Sequence, residues 1–267
     1  MIHKLRLDRY DERLRVRLVG CGGNDSQMLT GLARLHKALV ALGQRGLYVI
    51  ANDPDTVSPA NIGRQLFSPG DVGRNKAVVL VHRLNSFFGL DWNAEPFAFK
   101  FTDKTADILV SCVDSRKSRA SIDDALTRRG MFNNNRPGPE YWLDLGNRAA
   151  DGQMVLGQPA QNKRWAADKT RLPTVAELFP EIVDTHHKED TAPSCSLAEA
   201  LQKQELFVNQ AVVTQALALL WQVLRHGETD WHGAFVNCKS GRVIPLPVDP
   251  AAWQRLREGQ QQKKGKW

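Results

Sequence analysis

RVRLVGCGGNDSQMLTGLARLHKALVALGQRGLYVIAND, residues 15–53, reads as strand, glycine turn, helix, strand. Arg15 to Val19 alternates charged and apolar residues and runs into Gly20, the pattern of a strand entering a turn. From Ser26 to Leu42 the residues Leu29, Leu32, Ala33, His36 (weakly), Leu39 and Val40 follow a helical period, and Gly43 and Gly46 close the helix. Leu47 to Ala51 is a second buried strand that ends at Asn52 and Asp53. Two strands joined through a helix pair in parallel, so this stretch predicts a doubly wound α/β fold.

Outward from this unit, Pro54 to Asp71 is a long connection, and a helix is predicted from Gly73 to about Phe87. Asp107 to Val113 is almost wholly apolar, as a central parallel strand should be. Ser115 to Arg129 reads as a helix stopped by Gly130. Tyr141 to Leu145 and Gln153 to Leu156 read as strands around a turn at Asp151 and Gly152. Residues 158–195 carry Pro159, Pro173, Pro180 and Pro193, with one apolar cluster at Val175 to Phe179, and form a crossing segment. A long helix is expected from Leu197 to Leu224, then a hairpin of Ala234–Cys238 and Arg242–Leu246. The whole of 1–267 is read as a single domain, with an N-terminal segment at 1–14 and a flexible basic tail at 255–267.

At 42% hydrophobic and 24% charged residues, the composition is that of a globular protein with a sizeable core. No run of eighteen apolar residues is present, and the first residues lack an apolar signal core, so neither a membrane span nor a secretory signal is expected. Cys21, Cys112, Cys195 and Cys238 are far apart, which argues against a disulfide framework and against the usual zinc spacing; a reducing cytoplasm is the expected compartment. The net charge of +7 comes from 36 basic and 29 acidic residues scattered along the chain, so it reads as a solvated surface rather than a nucleic-acid footprint.

Gly20, Gly22 and Gly23 lie where a strand meets a helix, a place where bare backbone can approach a phosphate at a helix N-terminus. Tight packing of strand on helix would need the same glycines. Asp53, ending the second strand, is placed to bind both hydroxyls of a ribose; a turn or cap residue is the plainer reading.

Further on come Asp53-Pro-Asp55-Thr-Val57-Ser-Pro-Ala-Asn61-Ile-Gly-Arg64-Gln65 and Asp71-Val-Gly-Arg-Asn-Lys76-Ala, then Cys112-Val-Asp114-Ser115 with Arg119 behind it. This order of elements resembles the ThiF/MoeB/E1 (ubiquitin-activating-like) superfamily, whose pattern is D-x-D-x-V-x-x-x-N-x-x-R-Q, then D-V-G-x-x-K-A, then C-x-D-(N/S) with a later arginine. Over its whole length the sequence looks most like the ThiF-type proteins of plasmid PRTRC gene clusters. The resemblance implies ATP-dependent adenylation of the C-terminal carboxylate of a small ubiquitin-like, β-grasp or sulfur-carrier protein. It also implies a homodimer, with ATP and Mg²⁺ as cofactors. Gly20, Gly22, Gly23, Asp53, Asn61, Arg64, Gln65, Lys76 and Asp114 are then the nucleotide residues, and Asp114 the metal ligand.

That chemistry suits these residue types. Adenylation needs a triphosphate held in line with the attacking carboxylate, and charge on the departing pyrophosphate must be neutralised. Arg64 and Lys76 are cationic clamps, Asn61 is a neutral orienter, and Asp114 suits Mg²⁺, which takes one or two carboxylates plus phosphate oxygens. Taken singly, each is also an ordinary solvated helix-face residue.

Two features depart from the family pattern. Asp25 stands where a third glycine is usual, and is expected to bring a like charge toward the phosphates unless it points away. The family's N-terminal arginine, which reaches a neighbouring subunit's ATP, has Arg6, Arg9 and Arg13 as candidates. The family's zinc-binding cysteine pairs are absent. Cys195, before the predicted long helix, matches the place of a thioester-forming cysteine in compact relatives; a buried structural cysteine is the alternative. Cys21 and Cys112 read as small core fillers, and His186 and His187 as a solvated loop. Two rivals remain: a catalytically impaired adaptor that binds a nucleotide or a ubiquitin-like partner, and an NAD(P)-dependent oxidoreductase sharing the glycine turn. The set Asn61, Arg64, Lys76 and Asp114 is not something a dinucleotide enzyme requires.

Overall fold

The computed structural model describes residues 1–5, 7, 12–100, 106–127, 138–160, 170–186 and 204–264. Its strands are β1 (His3–Lys4), β2 (Leu14–Val19), β3 (Leu47–Asn52), β4 (Asn93–Glu95), β5 (Ile108–Ser111), β6 (Tyr141–Asn147), β7 (Asp151–Gly157), β8 (Glu228–Thr229), β9 (Trp231–Asn237) and β10 (Arg242–Pro247). The helices are α1 (Gly23–Ala41), α2 (Lys76–Phe88), α3 (Arg116–Thr127), α4 (Val175–Leu178), α5 (Val208–His226) and α6 (Pro250–Lys264).

One sheet carries the architecture, in the order β10-β9-β7-β6-β5-β2-β3-β4. From β4 to β6 all pairings are parallel, and from β6 to β10 all are antiparallel. The chain leaves β2 toward β3 and β4, then returns to the other side of β2 to lay down β5 and β6. That reversal is a topological switch point, and it opens a crevice at the carboxyl ends of β2 and β5. The strands there are buried on both faces: Ile108, Leu109, Val110 and Ser111 all lie inside, which is why β5 reads as a continuous apolar run.

Helices cover both faces. A side chain at Gly152 would strike Val212 of α5, and one at Gly157 would strike Thr174 at the start of α4. Positions 152 and 157 differ in parity within β7, so α5 and α4 lie on opposite sides of the sheet. Helix α1 packs against α5 and α2. Leu29, Leu32, Ala33 and Leu39 of α1 are buried, as the sequence period predicts, whereas Val40, counted in the same stripe, is exposed.

Several boundaries differ from expectation, each for a local reason. Helix α1 begins at Gly23, three residues before Ser26. The turn between β6 and β7 is at 148–150; Asp151 and Gly152 pair with Asn237 and Val236 of β9, so they are strand, held by a neighbour far along the chain. Residues 204–207 are a turn, and the long helix runs from Val208, because Gln204 and Glu205 are tied to the β6–β7 turn. The tail from 255 is not an irregular extension: α6 continues through Lys264. Trp253 anchors it, buried in the core with its indole N–H donating to Pro247 O at 3.0 Å. Among the described residues no helix is long and apolar enough to cross a membrane.

Candidate active site at the carboxyl ends of the parallel strands

The crevice is built from the turns that follow β2, β3 and β5. After β2 the chain passes through Gly20 at φ +103, a conformation open to glycine at little cost, and Gly20 N–H donates to Asn52 O at 2.8 Å. Cys21 N–H donates to the Asp53 carboxylate, and Gly22 N–H donates to Asp25 Oδ2 at 3.0 Å. At Gly23 the space that a Cβ would need is filled by Asn209 of α5, so this glycine serves helix packing.

Asp25 therefore lies inside, and the expected clash of like charges takes a different form. With α1 starting at Gly23, residue 25 is the third helical position, from which a carboxylate reaches back to the amide of the cap residue. Asp25 is 1% exposed, and its carboxylate sits under the turn, 2.9 Å from where a Cβ on Gly20 would be. Burial pushes its carboxyl well above the usual carboxylate range; the Cys112 thiol and the Gly22 amide oppose this, and Asp114 and Asp53 add to it.

Asp53 is at the end of β3, as expected, and 4% exposed. Its Oδ1 accepts from Asp55 N–H at 2.7 Å and its Oδ2 from Cys21 N–H, so it first of all pins β3 to the glycine turn. Desolvation raises its carboxyl, against those amides and Lys76. Lys76 opens α2, is 8% exposed, and places Nζ 3.1 Å from Asp55 Oδ2. Asn75, which the sequence reading passed over, caps α2 by accepting from Val78 N–H and donates to Asp53 O at 2.8 Å, fixing Lys76 beside β3.

Asp114 follows β5 and is exposed on the crevice side. Protein atoms crowd its other sides, and that desolvation raises its carboxyl, while Lys76, Arg119 and Arg64 pull it back. Three cations act by charge on this one exposed acid, although each is bonded to another partner. The chain segment under Asp114 is braced from below. Arg119 Nε donates to both oxygens of Asp144, at 3.0 and 3.1 Å, and its Nη2 donates to Val113 O at 2.8 Å. Asp144 is 0% exposed and also accepts from Ser111 Oγ at 2.6 Å, which itself accepts from Trp142 Nε1 at 2.7 Å. Burial works against the charge on Arg119, but Asp144 outweighs it and holds the guanidinium above its ordinary value. Nothing in the sequence pairs residue 119 with 144; only the β5–β6 pairing does.

The remaining predicted residues fall around this centre. Asn61 Oδ1 accepts from Ser58 N–H and Oγ, so its carbonyl caps a turn at Pro59–Asn61. Arg64 Nη2 donates to Gln204 Oε1 at 2.8 Å, tying it to the turn that precedes α5. Gln65 Oε1 is buried without a hydrogen-bond partner. Arg13 is engaged elsewhere: it pairs with Asp91 through both guanidinium nitrogens, at the amino end of β2. A hollow of about 750 Å³ lined by Arg13, Arg15, Arg45 and Tyr48 lies at that same end, the opposite pole from the glycine turn. Cys21 and Cys112 are buried, as expected of core fillers. Arg6, Arg9, His187 and Cys195 lie outside the described residues; His186 is in an exposed turn. No cluster of metal-ligating side chains is present among the described residues.

Comparison with known proteins places these observations in a family. The sequence pattern described as "ThiF family" matches residues 8–247. No curated protein sequence matches the chain. Among solved structures, E. coli MccB with AMPCPP and MccA is 17% identical, with TM-score 0.56, over 89% of this chain and 65% of that one. E. coli MccB with ATP is 16% identical, with TM-score 0.53, over 89% and 64%. PaaA is 11% identical, with TM-score 0.56, over 88% and 64%. At such identities the likeness is one of fold, and the chain spans about 65% of the MccB chain it matches.

Proposed function

Because the chain belongs to the ThiF family, we propose that it adenylates a carboxylate with ATP at the crevice between β2, β3 and β5. The observation that carries this reading is the placement of Asp53 and Lys76 beside the glycine turn at the switch point, with exposed Asp114 following β5 and Lys76, Arg119 and Arg64 acting on it by charge. Asp53 takes the ribose, and its oxygens keep acceptor capacity beyond the two amides they hold. An oxygen of the substrate carboxylate attacks the α-phosphorus, an acyl–phosphate bond forms, and the bond to the β-phosphate oxygen breaks to release pyrophosphate. Arg64 and Lys76 neutralise the charge that builds on the leaving group, and Asn61 and Gln65 orient the phosphates. Asp114 is an exposed carboxylate, and Mg²⁺ takes one or two carboxylates plus phosphate oxygens, so Asp114 would hold the ion, which would supply further charge neutralisation on the phosphates.

The substrate on this reading is the C-terminal glycine of a small ubiquitin-like protein of β-grasp fold or a sulfur carrier, and the working form is a homodimer. MccB, a neighbour in fold, has been solved with ATP, with AMPCPP and with MccA, which supports a nucleotide and a small peptide-like partner here. Cys195 then takes the acyl group: its thiolate attacks the acyl carbonyl, a thioester forms and AMP leaves. The rival, a non-catalytic adaptor, draws support from the internally bonded amides of the glycine turn.

ATP–pyrophosphate exchange in the presence of the candidate ubiquitin-like protein separates the two. Exchange that needs both ATP and the partner is expected. Partner binding without exchange would leave the adaptor standing. A thioester that persists in Cys195→Ala would remove the nucleophile assignment.

A further inference from the structure

Three amides of the turn after β2, those of Gly20, Cys21 and Gly22, are in use. Gly20 and Cys21 give theirs to the end of β3, as a property of the sheet; Gly22 gives its own to a side chain, Asp25. That side chain spends only one of its oxygens this way. Oδ1 of Asp25 is buried and accepts from no N–H or O–H group, with only the weak thiol donor of Cys112 acting on this carboxyl. A buried acceptor left unpaired is unfavourable, and a glycine here would avoid it. The carboxylate also fills the volume beneath Gly20 and lies 3.7 Å from a Cβ position on Gly22, so the turn is packed against it from within.

An N-cap amide behind a glycine turn is a donor that such a turn offers to a phosphate. We infer that Asp25 is a specificity-determining residue of this site: by holding the Gly22 amide, it removes a backbone donor from the phosphates and shifts their recognition onto Arg64 and Lys76. The inference rests on the nucleotide reading above and deepens it. The site then recognises adenosine much as its relatives would, while each added phosphate contributes less to affinity. Arg64, already bonded to Gln204, and Lys76, already paired with Asp55, must turn from those partners to carry the load.

The test is direct binding of adenosine, AMP and ATP·Mg²⁺ to the full chain and to three variants. In Asp25→Gly and Asp25→Ala the Gly22 amide is freed, and the ratio of ATP to adenosine affinity should rise about tenfold or more, the worth of one hydrogen bond to a charged group. Asp25→Asn keeps an acceptor for that amide and should stay within about threefold of the parent ratio. Adenosine affinity should hold in all three. Should Asp25→Gly melt far below the parent, Asp25→Ala, which suits a helix better, carries the same expectation. An unchanged ratio in both Gly and Ala variants overturns the inference. So does a gain in Asp25→Asn equal to that in Asp25→Gly, because charge rather than the amide would then be the cause. Loss of all adenine binding, in parent and variants alike, sinks this inference together with the nucleotide reading. Binding with no pyrophosphate exchange removes only the adenylation step, and the ratio still decides the role of Asp25.

Discussion

In the parallel half of the sheet, the carboxyl ends of β2, β3 and β5 gather Asp53, Asp114, Arg64 and Lys76, with Asp25 and Arg119 buried beneath them. The antiparallel half, β7, β9 and β10, buries His232 instead, with Nδ1 2.8 Å from Leu156 O and the ring edge-on to Trp253, and burial lowers its pKa to about 4. One half concentrates charge and holds some of it at the surface; the other buries a titratable ring and favours its neutral form. The parallel connections explain the contrast. They bring several loops to the same end of adjacent strands, whereas hairpins return the chain at alternate ends. Within the charged half a second contrast holds: Asp144 is buried and bonded to Arg119 and Ser111, while Asp114 is exposed.

That second contrast can be broken most forcefully at Asp144. Asp144→Ala leaves Arg119 buried and unpaired, and should cost about 3–5 kcal/mol of stability, seen as a large drop in chemical-denaturation midpoint. A loss under about 1 kcal/mol would mean that Arg119 escapes to solvent. Asp114→Ala should do the opposite. Pyrophosphate exchange should fall roughly 10²–10³-fold, while the melting temperature stays put, as for loss of a group that acts on transition-state charge. Exchange that survives would end the metal assignment.

The neutral half is tested by acid. His232 has a folded pKa of about 4, below its ordinary 6.5. Its contribution is complete above pH about 6.5 and is lost as the pH falls toward about 4, for up to about 3 kcal/mol. His232→Gln should flatten that part of the stability–pH profile. The smallest effect is expected at Asp123, whose carboxyl is raised to about 6 by burial and then by Glu177 and Asp124. A raised acid favours folding while protonated, so stability falls as the pH rises from about 4 to about 6. Asp123→Asn should add about 1 kcal/mol at pH about 7.5, a figure reduced for solvent screening, and nothing near pH 4. Thermal melts at the two pH values decide it.

How far the site was legible follows from how local each signal is. Gly20, Asp53, Lys76 and Asp114 could be placed because strand ends and helix starts are announced by their immediate neighbours, and those ends adjoin once the strands pair in parallel. The tail helix α6 was missed because its weak local pattern gives little sign of the core contact made by Trp253. For Asp25 the sequence left open whether the carboxylate faces the phosphates or points away, and the helix start three residues earlier decides for the inward placement.

The sequence alone determined the strand–turn–helix–strand unit, the order of the charged elements along the chain and the switch-point architecture they imply, since periodicity and glycine placement act over a few residues. Only the tertiary structure decided which charges face each other. Arg119 with Asp144, Arg64 with Gln204, and Arg13 with Asp91 are partnerships set by strand order and helix packing. The same holds within the glycine turn, where the fold, and not the run of glycines, settled that Asp25 turns inward and takes the amide of Gly22.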